Sequence, residues 1–175
     1  MDLINKISYF MDGFLRGYPF FIVFYGFITY ILTQTTDNKL FLIFILGNTI
    51  INKFLKSVVF KNFMKNEKVP VLGWGKRPEG AKNCGIFKNG EQSMTYGMPS
   101  GHSQHAMAFP MYVFLNNVTT NVWGISILIA MGVAVMGSRV YFNCHTFEQV
   151  IMGCFFGVLY AYLFTKNKSL IMKYL

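Results

Sequence analysis

The chain has 175 residues, of which 53% are hydrophobic, 18% aromatic and only 13% charged, with a formal net charge of +9. Soluble domains carry about 25% charged residues, so this composition excludes an ordinary water-soluble fold and points to an integral, multi-pass membrane protein. The positive charge is concentrated, because residues 56–88 hold eight Lys/Arg and two Glu, +6 of the +9, and a basic cluster beside apolar segments suits lipid headgroups or a phosphorylated substrate rather than nucleic acid.

In chain order, residues 3–16 place Leu3, Ile4, Ile7, Phe10, Met11, Phe14 and Leu15 at helical spacing, with Lys6, Asp12 and Arg16 elsewhere. The stretch is too short and too charged to span. It reads either as a helix lying in the interface or as a leader into the first span. Asp2 and Asp12 interrupt the apolar run, so a cleaved secretory signal is not expected. Residues 19–35 form the first predicted span, 36–39 a polar turn and 40–60 the second span, each adequate for a core that needs roughly 20 helical residues. On the second span Asn48, Asn52 and Lys56 recur every four residues and share a face. The two asparagines read as interhelical hydrogen-bonding groups. Lys56 reads either as a snorkelling end group or as a cation facing the site.

Residues 61–98 are the longest polar stretch, punctuated by Pro70, Pro78 and by Gly73, Gly75, Gly80, Gly85, Gly90 and Gly97. A loop of this length in a small chain is usually functional, and Trp74 and Tyr96 suit interfacial anchors. Residues 102–115, with Pro110 inside, form the third span; 116–121 a turn; 122–137 the fourth span; 138–144 a short turn; and 146–165 the fifth. Gly153 and Gly157, four apart, allow another helix to approach closely. The expected fold is therefore an all-α membrane bundle of about five transmembrane helices plus an N-terminal interfacial helix, a single domain over 1–175. Five crossings put the N-terminus, the 61–98 loop and the 138–145 turn on one side. Of the three cysteines, Cys84 and Cys144 fall on that side and can pair if it is oxidising. Cys154 lies in an apolar run and reads as packing.

That shared side gathers chemistry. Tyr96-Gly97-Met98-Pro99-Ser100-Gly101-His102-Ser103-Gln104 enters the third span, and Ser138-Arg139 with His145 and Gln149 lies 36 residues beyond. Ionisable groups at membrane-helix ends mark function by default. Phosphoryl transfer depends on positioning and cationic clamping, which Lys56, Arg77 and Arg139 can supply. Ser100 and Gly101 open a helix and offer backbone N–H groups to an anion. His145 can act as a nucleophile, with Gln149 at i+4 as its orienter. His102 can serve as general acid and base. His105 lies on the same side of its helix, either lining the pocket or satisfied behind it. No histidine pair with carboxylates has metal-ligand spacing, so no metal cofactor is expected.

At these residues the chain resembles the type 2 phosphatidic acid phosphatase superfamily, which shares its catalytic core with vanadium haloperoxidases. The family motifs are Lys-x6-Arg-Pro, Pro-Ser-Gly-His and Ser-Arg-x5-His-x3-Asp. Pro99 to His102 match the second in full, Ser138-Arg139 and His145 match the third with its spacing, and Arg77-Pro78 match the end of the first. The resemblance spans about residues 48–160 and implies a helical membrane fold, metal-independent phosphatase chemistry, a His145 nucleophile, a His102 acid/base and a site facing the lumen or exterior. The positive-inside rule gives divided counsel, the 61–98 loop and the tail Lys166, Lys168 and Lys173 lying on opposite sides. Two departures stand out. Pro70 occupies the position seven before Arg77, so Leu55-Lys56 is the nearest match to the motif lysine, with an insertion between. Gln149 replaces the terminal Asp, as in a dolichyl diphosphatase-like pattern, His145-Thr146-Phe147-Glu148-Gln149-Val150. The resemblance therefore implies a membrane lipid substrate, a polyprenyl diphosphate ahead of a phosphatidate. A silent polytopic scaffold and a lipid phosphotransferase are the alternative readings.

Overall fold

The structure, a computed structural model, describes residues 3–65, 67–81, 84–85, 93 and 95–175, with side chains from residue 5. Asp2, Gly90 and the side chains of Leu3 and Ile4 lie outside the described residues. The first element, α1 (Leu3–Thr33), is one helix of 31 residues, roughly 46 Å at 1.5 Å per residue. The segment expected to lie in the interface is thus continuous with the first span and leads into it. Pro19 sits inside α1 without ending it. Its ring removes one N–H, the partner of the Leu15 carbonyl, and the helix resumes on the far side.

Thr35 caps α2 (Thr36–Phe54) by accepting a hydrogen bond from the Asn38 N–H. The rod then passes through a π-helical segment (Leu55–Phe60) into α3 (Lys61–Met64), four residues past the predicted end at 60. A minimal antiparallel pair follows, β1 (Lys68–Val69) and β2 (Gly73–Trp74), with Lys68 opposite Trp74. The chain returns to the membrane as α4 (Gly101–Leu115), α5 (Val122–Tyr141), α6 (Phe147–Lys166) and the short α7 (Lys168–Met172).

Among the described residues four helical stretches are long and apolar enough to cross a membrane: Asn5–Thr33, Thr36–Met64, Val122–Tyr141 and Phe147–Lys166. The expected third span, α4, has only 15 residues, about 22 Å against a core of about 30 Å. It is the central helix and packs against α6, α5, α2 and α1, so protein rather than lipid sets its length. Large apolar side chains of the surrounding helices, such as Phe24, Ile50, Ile127 and Phe155, face outward and form the lipid-facing belt.

The core is aromatic on the side away from the motifs. Phe44 of α2 stacks on Tyr112 of α4 at 4.4 Å and on Tyr160 of α6 at 5.1 Å between centroids. Toward the motifs it becomes polar. Gln104 donates to the Asn48 carboxamide oxygen at 2.7 Å and accepts from Asn52 at 2.8 Å, all three buried. The asparagine stripe read from the sequence is therefore an α2–α4 hydrogen-bond ladder, with Lys56 one turn further along. Gly153 and Gly157 let α4 lie directly on α6. A Cβ at Gly153 would press on the Ser100 carbonyl and come 2.9 Å from the Ser103 Cβ, and one at Gly157 would come 3.0 Å from the Ala108 nitrogen.

The sidedness expected from five crossings is reproduced. Asn116 donates to Thr165 at 2.9 Å and Lys168 meets Asp37 at 3.5 Å on one face, while the motif residues assemble at the other. Replacing Gly153 by Val should overpack the α4–α6 seam by about 1–3 kcal/mol and lower the thermal midpoint in detergent. Gly137→Ala, where a Cβ meets nothing within 4 Å, should hold or raise it, since Gly costs a helix about 1 kcal/mol relative to Ala.

Candidate active site

The end of the 138–145 turn is gathered by one backbone acceptor. The Arg139 carbonyl receives the N–H groups of Cys144 at 2.9 Å and His145 at 3.1 Å, which closes α5 and turns the chain back. Thr146 then caps α6 by accepting from the Gln149 N–H. The cap places Gln149 one helical turn past His145, and the expected pair forms: His145 Nδ1 lies 2.9 Å from Gln149 Oε1. Gln149 Nε2 donates to the carbonyls of Trp74 at 2.8 Å and Lys76 at 2.6 Å. Two acceptors therefore fix which end of the amide is nitrogen. Its oxygen is left for His145, so Nδ1 carries the proton and Nε2 holds the lone pair. Gly97 closes over this amide, since a Cβ there would stand 2.5 Å from the Gln149 Nε2.

The loop is tied to the turn by cations. Arg77 donates from Nη1 to the Cys144 carbonyl at 2.8 Å, from Nε to the Thr95 carbonyl at 3.2 Å and from Nη2 to the Thr95 hydroxyl at 2.9 Å. Burial lowers its pKa to about 10, still charged at neutral pH. Lys56 donates to the Tyr96 carbonyl at 3.2 Å. Burial, then the Lys56 and Arg77 charges, hold the His145 imidazole well below its usual range, outweighing the Gln149 hydrogen bond that raises it. The imidazole is neutral at pH 7, as a nucleophile requires. Cys84 and Cys144 form a disulfide with 6.1 Å between Cα atoms, the pairing the sequence allowed, which pins the loop beside His145. Closing a 60-residue separation is worth roughly 4 kcal/mol in the chain-entropy account.

Ser100 caps α4, accepting from the Ser103 N–H at 3.4 Å and hydroxyl at 2.9 Å, and its own N–H donates to the Gln149 carbonyl at 2.9 Å. Gly101 follows as the first residue of α4. In the structure its missing Cβ makes room for Asn52, whose Oδ1 would lie 2.8 Å from it. His102 Nε2 lies 2.9 Å from the Arg16 carbonyl. Arg139 is fully buried and donates to Ser138, Cys84 and Leu15. His105 is satisfied on both nitrogens, by the Gly101 carbonyl at 2.9 Å and the Thr49 hydroxyl at 3.0 Å, and so belongs behind the pocket. All eight residues singled out from the sequence thus lie in one connected network. Sequence reasoning missed the acceptors that hold it, the carbonyls of Leu15, Arg16, Trp74 and Lys76, because backbone groups leave no trace in residue type.

This interlocking of the Arg-Pro, Pro-Ser-Gly-His and Ser-Arg…His segments agrees with a match to a known protein family. The sequence model of the PAP2 superfamily matches residues 38–172. The chain belongs to this family. No curated protein and no solved structure matches it. Membership carries phosphatase-type activity on phosphate esters, and with the four spanning helices it makes this chain an integral membrane member of the PAP2 superfamily.

The amide at 149 is demanded by its surroundings. Gln149→Glu would aim a buried carboxylate at two carbonyl oxygens and remove both donors. It should destabilise the fold by about 1–3 kcal/mol per lost partner, read as a lower thermal midpoint in detergent. Equal midpoints for the variant and the wild type would contradict the clamp.

Proposed function

We propose that this PAP2 member hydrolyses a phosphate or diphosphate monoester of a membrane lipid, a polyprenyl diphosphate ahead of a phosphatidate, through a phosphohistidine. The observation that carries the reading is the fixed tautomer of His145, held neutral with its Nε2 lone pair available, between the cations of Lys56 and Arg77. His145 Nε2 attacks the terminal phosphorus and the bond from phosphorus to the lipid-side oxygen breaks; that oxygen takes a proton from His102, which has first received one from the substrate's monoprotonated phosphate. His102 then removes a proton from water, which attacks the phosphohistidine and releases inorganic phosphate. Arg77, Lys56 and Arg139 neutralise the phosphoryl oxygens, and the Gly101 N–H contributes the helix entrance, whose start Ser100 holds through its bond to Gln149.

The diphosphate preference is supported by a cavity of about 1110 Å³. Lys56 and Arg77 line it together with Lys53, Lys61, Lys65 and Lys76, against a single acid among the described residues, Glu79. Neither His102 nor His145 lines it. Its other cations, Lys53, Lys61, Lys65 and Lys76, add to Lys56 and Arg77 and suit a second phosphate. Positions 53, 57, 61 and 65 run four apart, a row that drifts about 40° per step on an α-helix; the wider π turn between Leu55 and Phe60 counteracts the drift and keeps them on one cavity wall. The site faces an oxidising lumen or exterior in this reading, supported by the Cys84–Cys144 disulfide beside it.

The test is phosphate release in detergent with EDTA present, from a polyprenyl diphosphate, a polyprenyl monophosphate and a phosphatidic acid. The expected result is metal-independent release that falls by about 10³-fold or more in His145→Ala and by about 10²–10⁴-fold in His102→Ala. Lys61→Ala with Lys65→Ala should raise KM for the diphosphate more than for the monophosphate. Wild-type protein that releases nothing from any of the three lipids contradicts the reading and favours the scaffold alternative; release that depends on an added alcohol favours the phosphotransferase.

A further inference from the structure

Two side chains assigned to chemistry bond to consecutive carbonyls of one helix turn, and that helix precedes the family match, which begins at residue 38. His102 Nε2 meets the Arg16 carbonyl at 2.9 Å, and Arg139 Nη2 donates to the Leu15 carbonyl at 3.1 Å. In an unbroken helix the Leu15 carbonyl would be taken by the N–H of residue 19. That residue is Pro19, which has none. A carbonyl left open by proline inside a membrane helix must find another donor, and the donor here is a guanidinium without exposed surface.

The consequence for each group can be counted. Arg139 has five N–H groups. Among the described residues, Nε and one Nη2 hydrogen go to Ser138, the other Nη2 hydrogen to Leu15 and one Nη1 hydrogen to Cys84. One Nη1 hydrogen has no partner among the described residues. The Arg16 carbonyl is acceptor only, so the His102 nitrogen it meets must be the protonated one in the neutral ring. Nδ1 is then the nitrogen with the lone pair. The α1 turn is itself anchored to the opposite wall, because the Arg16 guanidinium lies over the Phe142 ring at 4.6 Å and pairs with Asp12 at 2.8 Å.

We propose that α1 is part of the catalytic apparatus: Pro19, by opening the Leu15 carbonyl, positions Arg139 for phosphate, and the adjacent Arg16 carbonyl sets His102 in the Nε2–H tautomer with Nδ1 as its proton-transfer atom. Pro19 touches no substrate and is a positioning residue. The assignment of chemistry to these two groups rests on the hydrolase reading above; the bonding pattern does not.

Two measurements separate them. The first is NMR of the imidazole nitrogens in the full-length protein without substrate, with His102 assigned by His102→Gln. The Nε2–H tautomer is expected, and an Nδ1–H tautomer overturns the proposal whether or not the protein is a phosphatase. The second compares two replacements at position 19. Pro19→Ala restores an N–H that competes for the Leu15 carbonyl. It should lower kcat about ten- to a hundredfold and weaken inhibition by inorganic phosphate about tenfold, since Arg139 loses its anchor. The α-hydroxy acid analogue of alanine at position 19 supplies an ester without an N–H, and it should retain near wild-type values of both. Gly13→Ala, at a position of α1 where a Cβ meets nothing within 4 Å among the described residues, should match wild type and controls for stiffening of the helix. Wild-type kinetics in Pro19→Ala, or equal loss in the alanine and ester proteins, overturns the role of the missing N–H. If Pro19→Ala does not fold, the ester protein and the tautomer still decide.

Discussion

Burying a guanidinium costs several kcal/mol unless its donors find partners, and Arg139 has no exposed surface, with four of its five N–H groups bonded among the described residues. The rest of the site is arranged around meeting that cost. Its side chain gathers α1 through Leu15, the long loop through Cys84 and its own helix through Ser138. Its carbonyl closes the turn that carries Cys144 and His145. The Cys84–Cys144 disulfide then joins two of the segments that Arg139 already holds. One residue therefore couples the first helix, the loop and the turn that carries His145, and the precision with which His145 is presented depends on that coupling.

The second constraint is the carboxamide of Gln149. The family's third motif ends in a carboxylate, and reading the amide as a weakened carboxylate would suggest a poor enzyme. The structure gives it a different task. A carboxylate can only accept, whereas this group accepts from one side and donates twice on the other. It fastens the loop backbone at Trp74 and Lys76 while fixing the tautomer of His145. The negative charge that an aspartate would bring is absent, so an imidazolium at His145 is less favoured. The neutral, nucleophilic form is favoured instead, in the same direction as burial and the nearby Lys56 and Arg77 charges.

Much of this was legible in residue order. Motif spacing located His102, Arg139, His145 and Gln149, and the four-residue recurrence of Asn48 and Asn52 located the α2–α4 ladder. The small-residue pair Gly153 and Gly157 predicted a close helix contact, though not that its partner would be α4. What the residues left undecided was set by tertiary context. Residues 3–16 alone look too charged to continue a span, yet Asp12 and Arg16 pair with each other and the Leu15 carbonyl freed by Pro19 finds a buried donor, so one helix runs through. The shortness of α4 follows from its being sheathed by other helices, a property no local pattern encodes. The π-helical segment from Leu55 to Phe60 is likewise invisible to hydrophobic periodicity, because it shifts register without changing composition.

The central claim is that His145, its tautomer fixed by Gln149, becomes covalently phosphorylated during turnover. The most direct measurement is to mix the protein with a lipid diphosphate radiolabelled in its terminal phosphate, quench in alkali within the first turnovers, and map the label by peptide. The account predicts an acid-labile, alkali-stable label on the peptide carrying His145, which accumulates further when His102→Ala slows attack by water. Steady phosphate release with no such label, or with label on any other residue, would contradict it.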